Sequence, residues 1–106
     1  MKPGFIYIVT NKNRTTLYIG VTSNLPVRIL QHKEKRFKNS FSAKYNLDQL
    51  VYYEAFQEIG DAIGREKQLK AGSRQKKLDL INTFNPEWLD LYLNVCEEFD
   101  NLNAPF

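Results

Sequence analysis

The sequence predicts an α+β domain, and three observations carry the prediction. Two runs rich in branched and aromatic residues, 5–10 and 15–21, flank the polar stretch "NKNR" and read as a hairpin. A third run, "QLVYYEAF" at 49–56, reads as another strand. Between and after these runs, capping residues followed by apolar side chains at helical spacing read as helices. At 106 residues the chain fits one ordinary domain.

The hairpin comes first. If Thr10 pairs with Thr15 across a four-residue loop, Tyr7 faces Tyr18 and Phe5 faces Gly20. Ile6, Ile8, Leu17, Ile19 and Val21 then form an aliphatic core face, while Tyr7, Tyr18 and Gly20 put hydroxyls beside a bare backbone on the other. In "SNLPVRILQHKEK", Ser23 and Asn24 offer N-caps and Pro26 falls in the first turn, where its missing N–H costs nothing; a helix is expected from about Leu25 to Lys35. Arg28 and His32, four apart, share a face with Lys35 just beyond, and Leu25, Ile29 and Leu30 point away from it.

Residues 36–47, "RFKNSFSAKYNL", read as a loop that interleaves basic and aromatic side chains. After the third strand, Asp61 is the expected cap of a helix running to about Ala71, with Gly72 stopping it in the left-handed conformation. Ser73 is the expected cap of another, Arg74 to about Phe84, with Leu78, Ile81 and Phe84 toward the core. Pro86 stands near the start of a possible short helix in "NPEWLDLYLNVCEEF", followed by an acidic tail. No repeat, low-complexity run or interdomain linker interrupts the chain.

Composition narrows the function classes. With 42% hydrophobic residues the chain can bury a core without a metal staple. A lone Cys96 forms no internal disulfide, and with a single histidine there is no Cys/His zinc spacing, so a reducing, cytoplasmic setting is expected. The run "FIYIV" is too short for a signal-peptide core or a membrane span, so no membrane role is expected. The net charge of +3 hides a strong polarity: all 15 Lys and Arg fall in residues 1–77, against six acids, while residues 78–106 carry six acids and no base. A basic body suits a phosphate-bearing partner, although a solvated lysine-rich surface explains it equally simply.

Glu66 breaks the pattern of its helix. Ala62 and Ile63 lie one turn before it and Leu69 one turn after, so its carboxylate sits within the stripe that should face the sheet. A carboxylate drawn toward a core must be paired, hydrogen-bonded or coordinated to a cation. An ion pair with Arg28 or Lys70 is the plain explanation; cation binding is the functional one. Alone, a strand tyrosine usually packs, a single histidine is usually satisfied, and a helical arginine is usually solvated. Together, two tyrosines, a glycine, an arginine, a histidine and a carboxylate suit phosphodiester cleavage. There a carboxylate-bound divalent ion polarises the phosphate, an arginine offsets developing charge and a phenol or imidazole handles the water's proton.

The stretches "FIYIV", "LYIGVTSNLPVRILQHK" and "EAFQEIGDAIGREKQLKAGSRQKKLDLINTFNPEW" resemble the GIY-YIG nuclease family. The ordered pattern is a tyrosine, ten residues, Tyr-Ile-Gly, an arginine, a histidine four later and a distant glutamate; it spans the chain to about Tyr92. The likeness is greatest to small standalone bacterial members, the excinuclease-like or UPF0213-like group. It implies a three-stranded antiparallel sheet flanked by helices, and DNA hydrolysis dependent on Mg²⁺ or Mn²⁺. Tyr7 matches the first motif element, with Phe5 where the family name has glycine, and Tyr18, Ile19 and Gly20 match the second. Arg28 matches the catalytic arginine, His32 a position that takes part in catalysis in many members, and Glu66 the metal-binding glutamate. Asn85, or alternatively Asn82, matches the family's late asparagine.

These matches imply a domain over residues 1–92 with an acidic tail over 93–106. They leave Tyr7 and Tyr18 as alternative proton acceptors, and Gly20 as room for backbone or nucleotide to approach. Lys33, Lys35, Arg36, Lys38 and Lys44, and separately Lys67, Lys70, Arg74, Lys76 and Lys77, are the expected contacts to a nucleic-acid backbone. The expected partner is DNA, whether duplex, branched or flapped, rather than a small molecule; a protein partner is left unspecified. The alternative is a structure-selective DNA-binding module that cleaves little or needs a partner.

Overall fold

A computed structural model describes residues 2–103. Three strands, β1 (Gly4–Thr10), β2 (Leu17–Thr22) and β3 (Gln49–Phe56), form an antiparallel sheet in the order β2-β1-β3. Helices α1 (Leu25–Lys33), α2 (Phe41–Lys44), α3 (Ile59–Ala71), α4 (Arg74–Phe84) and α5 (Tyr92–Asn103) flank it. The α+β fold with a three-stranded antiparallel sheet is as the sequence led one to expect.

The hairpin register differs. Tyr7 lies opposite Gly20, Val9 opposite Tyr18 and Phe5 opposite Thr22, so the expected pairing of Tyr7 with Tyr18 is corrected by two residues. The cause is the turn. Asn11 Oδ1 accepts the N–H groups of Thr15 and Thr16 at 2.9 and 3.1 Å, and Arg14 adopts a left-handed φ of 59°. That side-chain cap draws Thr15 and Thr16 into the loop, so Thr10 pairs with Leu17 instead. A slip of two is one full side-chain period, so the assignment of residues to faces survives.

What covers those faces is less simple. Ile6, Ile8 and Ile19 pack with Val51 and Tyr52 against Ala62 and Leu69 of α3 and Ile81 of α4. On the other face Tyr7 and Val9 join Leu25 and Ile29 of α1, Leu47, Leu50 and Val95 of α5. The tyrosine face is therefore a second core. The expected acidic tail at 93–106 contains most of α5, and its Val95 is 1% exposed. Burying a side chain of that size contributes about 1.5–3 kcal/mol, and Leu91, Tyr92 and Phe99 pack beside it.

Several element ends are corrected too. Helix α3 starts two residues before Asp61, with Glu58 at its N-cap, and Asp61 sits in its first turn, where a negative charge complements the helix dipole. Gly72 ends α3 in extended rather than left-handed backbone, at φ −78° and ψ 168°. Helix α1 stops at Lys33, and Lys35 takes a left-handed φ of 53°. Ser40 caps the short α2 inside the expected loop, its Oγ accepting Ala43 N–H at 3.2 Å. Ser73 caps α4 as expected, accepting Lys76 N–H. Of the three α4 residues expected in the core, Ile81 is buried, whereas Phe84 stays half-exposed with its ring against Tyr52 and Tyr53. No helix forms at Pro86, because Asn85 uses its side chain to hold a turn.

Candidate active site

The site is built around one phenol oxygen. Tyr7 is fully buried on the central strand, and its ring crosses to Gly20 of β2, where any Cβ would collide with the hydroxyl end. Here glycine is required by close approach, not by backbone conformation. Two side chains from one face of α1 converge on that oxygen. Arg28 Nε–H donates to it at 3.2 Å, and His32 Nε2 lies 2.8 Å away. Asn24 sets the helix that delivers them, its side chain accepting Val27 N–H with Pro26 in the first turn. The i,i+4 spacing of Arg28 and His32 thus becomes convergence on a single group.

Burial governs the protonation of this group. It pushes the Tyr7 phenol up to about 12, against the smaller opposing pull of Arg28. Burial also lowers His32 to about 4, and the neighbouring Arg28 cation acts in the same direction. Near neutral pH both are uncharged: a phenol and an imidazole locked together under a guanidinium.

Tyr18 lies at the surface of this arrangement. Its ring centroid is 5.9 Å from that of His32 and 6.3 Å from that of Phe41. A cleft of about 350 Å³ opens beside it, lined by Arg28, His32, Lys35, Phe37 and Phe41 among others. The Arg28 guanidinium carbon sits 5.7 Å from the Phe37 ring centre, within cation–π range, and Nη1 donates to Gln31. On the other side of Tyr18, Lys70, Arg74 and Lys77 border a second groove of about 250 Å³ with Leu17 and Ile19.

Glu66 belongs to α3, which packs on the opposite face of the sheet. Its carboxylate pairs with Lys70 at 3.5 Å, and Lys70 Nζ lies 6.0 Å from the Tyr18 ring centre. Glu66 therefore reaches the neighbourhood past the edge strand β2, and its charge is felt at Tyr7. Its side chain is 16% exposed, and Ile63, expected beside it in the apolar stripe, is solvent-exposed. Among the described residues no group of three or more His, Cys, Asp or Glu gathers as a metal cage.

The remaining expected residues divide. Lys35 borders the main cleft, Lys70 the second groove, and Lys44 is exposed beside Tyr45. Lys76 lines a separate groove between α3 and α4. Lys33 is turned inward: its ammonium pairs with Asp90, donates to Asp48 O at 2.8 Å and lies over the Tyr92 ring. Asn85 is buried with its amide spent on backbone, donating to Val51 O and Leu89 O and accepting Leu89 N–H. Asn82 accepts the Trp88 indole N–H. Sequence reasoning missed Ser42, whose hydroxyl is 2.9 Å from His32 Nδ1, and the cleft walls Phe37 and Phe41. The basic-aromatic interleaving of 36–47 signalled the walls; nothing local signalled Ser42.

The three-stranded sheet flanked by helices is consistent with a GIY-YIG catalytic domain, and the model of that family matches residues 3–79: the chain belongs to this family of nucleases. Among its relatives are UPF0213 proteins. That of Staphylococcus saprophyticus is 40% identical over 86 residues, 77% of this chain and 98% of the relative. That of Syntrophus aciditrophicus is 31% identical over 87 residues, 82% and 98% respectively. A third, from Clostridium perfringens, is 36% identical over 83 residues, 74% and 83%. No solved structure matches the chain.

Proposed function

We propose that the protein is a metal-dependent endonuclease that hydrolyses DNA phosphodiester bonds. The observation that carries this reading is the convergence of Arg28 and His32 on the Tyr7 hydroxyl, with Tyr18 at the mouth of a basic-walled cleft. The family supplies the reaction class; the geometry suggests the roles.

Glu66 is the residue that would hold the cation. A single half-buried carboxylate suits Mg²⁺ or Mn²⁺, which take one or two protein carboxylates and complete their shell with water and phosphate oxygens. When bound, the ion would supply Lewis-acid polarisation of the scissile phosphate. The Lys70 ammonium now beside Glu66 must give way for that carboxylate to serve as a ligand.

Arg28, in the cleft wall, offsets negative charge that builds on the phosphate oxygens. The two tyrosines divide the remaining work. Tyr7, sealed from solvent and held as a neutral phenol, orients Arg28 and His32. Tyr18 faces the cleft and is the better placed to meet the attacking water. Arg28 and Lys70 flank Tyr18, so positive charge stands beside the hydroxyl that would meet the water. DNA backbone would lie across Lys35 on one side and Lys70, Arg74 and Lys77 on the other.

The test is nicking of supercoiled plasmid in Mg²⁺ or Mn²⁺. Wild-type protein is expected to cut, and Glu66→Ala and Arg28→Ala to lose at least about a hundredfold in rate while remaining folded by circular dichroism. One observation favours an alternative, a DNA-binding module with little cleavage: the carboxylate that a cation would need is already paired with the Lys70 ammonium. Binding of duplex, branched or single-stranded DNA without cleavage in any divalent metal would establish that reading instead.

A further inference from the structure

Ser42 is 7% exposed and lies directly behind the imidazole, its hydroxyl 2.9 Å from His32 Nδ1. The hydrogen-bond chain runs Ser40 Oγ, Ser42 Oγ, His32 Nδ1, His32 Nε2, Tyr7 hydroxyl, Arg28 Nε, with separations of 3.3, 2.9, 2.8 and 3.2 Å at its four contacts. Each hydroxyl has one hydrogen and a neutral imidazole has one, so the chain can run in only one of two directions.

Burial at Tyr7 chooses between them. If His32 donated Nε2–H to Tyr7, the phenol oxygen would accept from both His32 and Arg28, and its own hydrogen would have no acceptor in a fully buried site. In the opposite direction every group is satisfied. Tyr7 donates to His32 Nε2, Nδ1–H donates to Ser42 Oγ, and Ser42 donates to Ser40 Oγ, which also accepts Ala43 N–H. That direction needs the Nδ1–H tautomer, whereas a free histidine side chain favours Nε2–H.

We propose that Ser42 is a positioning residue: its hydroxyl holds His32 in the Nδ1–H tautomer, so that Nε2 accepts the Tyr7 proton and the phenol oxygen keeps its lone pairs for Arg28. The four-residue helix α2, capped by Ser40, is the device that brings Ser42 behind the ring. The tautomer follows from the hydrogen-bond geometry together with the burial of Tyr7; its effect on cleavage rests on the nuclease reading above. Because His32 is uncharged near neutral pH, the tautomer is the variable that matters there.

The test uses the fact that His32 is the chain's single histidine, so its ring-nitrogen NMR signals assign themselves. In ¹⁵N-labelled full-length protein at pH 7, Nδ1 is expected to carry the proton and Nε2 to be bare. Ser42→Ala is expected to move the ring to Nε2–H or a mixture and slow plasmid nicking by about tenfold or more. Ser42→Thr, which keeps the hydroxyl, is expected to retain the wild-type signals and rate. An Nε2–H ring in the wild type would overturn the proposal, as would an unchanged tautomer, or wild-type cleavage, in Ser42→Ala. If Ser42→Ala fails to fold, the wild-type tautomer and its retention in Ser42→Thr decide. The NMR measurement needs no cleavage, so failure of the nuclease reading would show separately, as an inactive wild type with an Nδ1–H ring.

Discussion

At the residue scale, His32 has lost the room to be charged. In the unfolded chain its imidazole takes up a proton near pH 6.5, but in the folded protein only near 4, because burial and then the Arg28 cation oppose the charge. Between those values the unfolded state binds more protons, so acid favours unfolding. His32's contribution to stability is full above pH 6.5 and is lost as pH falls toward 4. Going from pH 7.5 to pH 5 should therefore lower the unfolding free energy by about 2 kcal/mol, before most carboxylates titrate. Urea titrations at the two pH values measure this, and His32→Gln should remove most of the difference.

At the element scale, Asp90 ties three elements together just before α5. Its carboxylate takes the Lys33 ammonium of α1, the Leu50 N–H of β3 at 3.2 Å and the Tyr92 N–H that begins α5 at 3.1 Å. Asp90→Ala takes the carboxylate from the Lys33 ammonium, which keeps Asp48 O, and strips the Leu50 and Tyr92 N–H groups of this acceptor. The expected loss is about 1–3 kcal/mol in urea unfolding, with the sheet intact by circular dichroism. The same region shows where the sequence stopped being legible. The caps at Asn24 and Ser73 were readable because a cap bonds within three residues. The faces of β1 and β2 were readable because side chains alternate strictly. The turn after β1 was not, because a single Asn11 side chain outweighed the strand propensity of Thr15 and Thr16. Nor was the docking of α5, because its acids suggest solvent while Leu91, Tyr92, Val95 and Phe99 reveal their purpose only against Tyr7 and Ile29. At the site, the helical period paired Arg28 with His32 and the strand period set Tyr7 apart from the aliphatic face, but their convergence on one oxygen was not legible. Ser42 and the inward turn of Lys33 depend on contacts between distant segments that no local period encodes.

At the scale of the whole molecule, the charge polarity of the sequence becomes spatial. Lys70, Arg74 and Lys77 gather beside β2, while α5 carries Glu98 to Tyr53 on β3, the opposite edge of the sheet. If DNA lies along the β2 side, Lys77→Ala or Arg74→Ala should each lower the slope of log affinity against log salt by about one, measured by fluorescence anisotropy. Lys33→Ala should leave that slope unchanged, because its ammonium is already committed to Asp90. The sheet order also governs how the chain matures. β1 is the central strand, yet its two partners are made at very different times: Ile6 meets Val21 across the hairpin, but Gly4 must wait for Phe56. At about 5–20 residues per second, a ribosome leaves one side of "FIYIV" unpaired for several seconds after the hairpin closes. During that interval the future centre of the molecule is its most adhesive edge, and β3 acts as the strand that closes it.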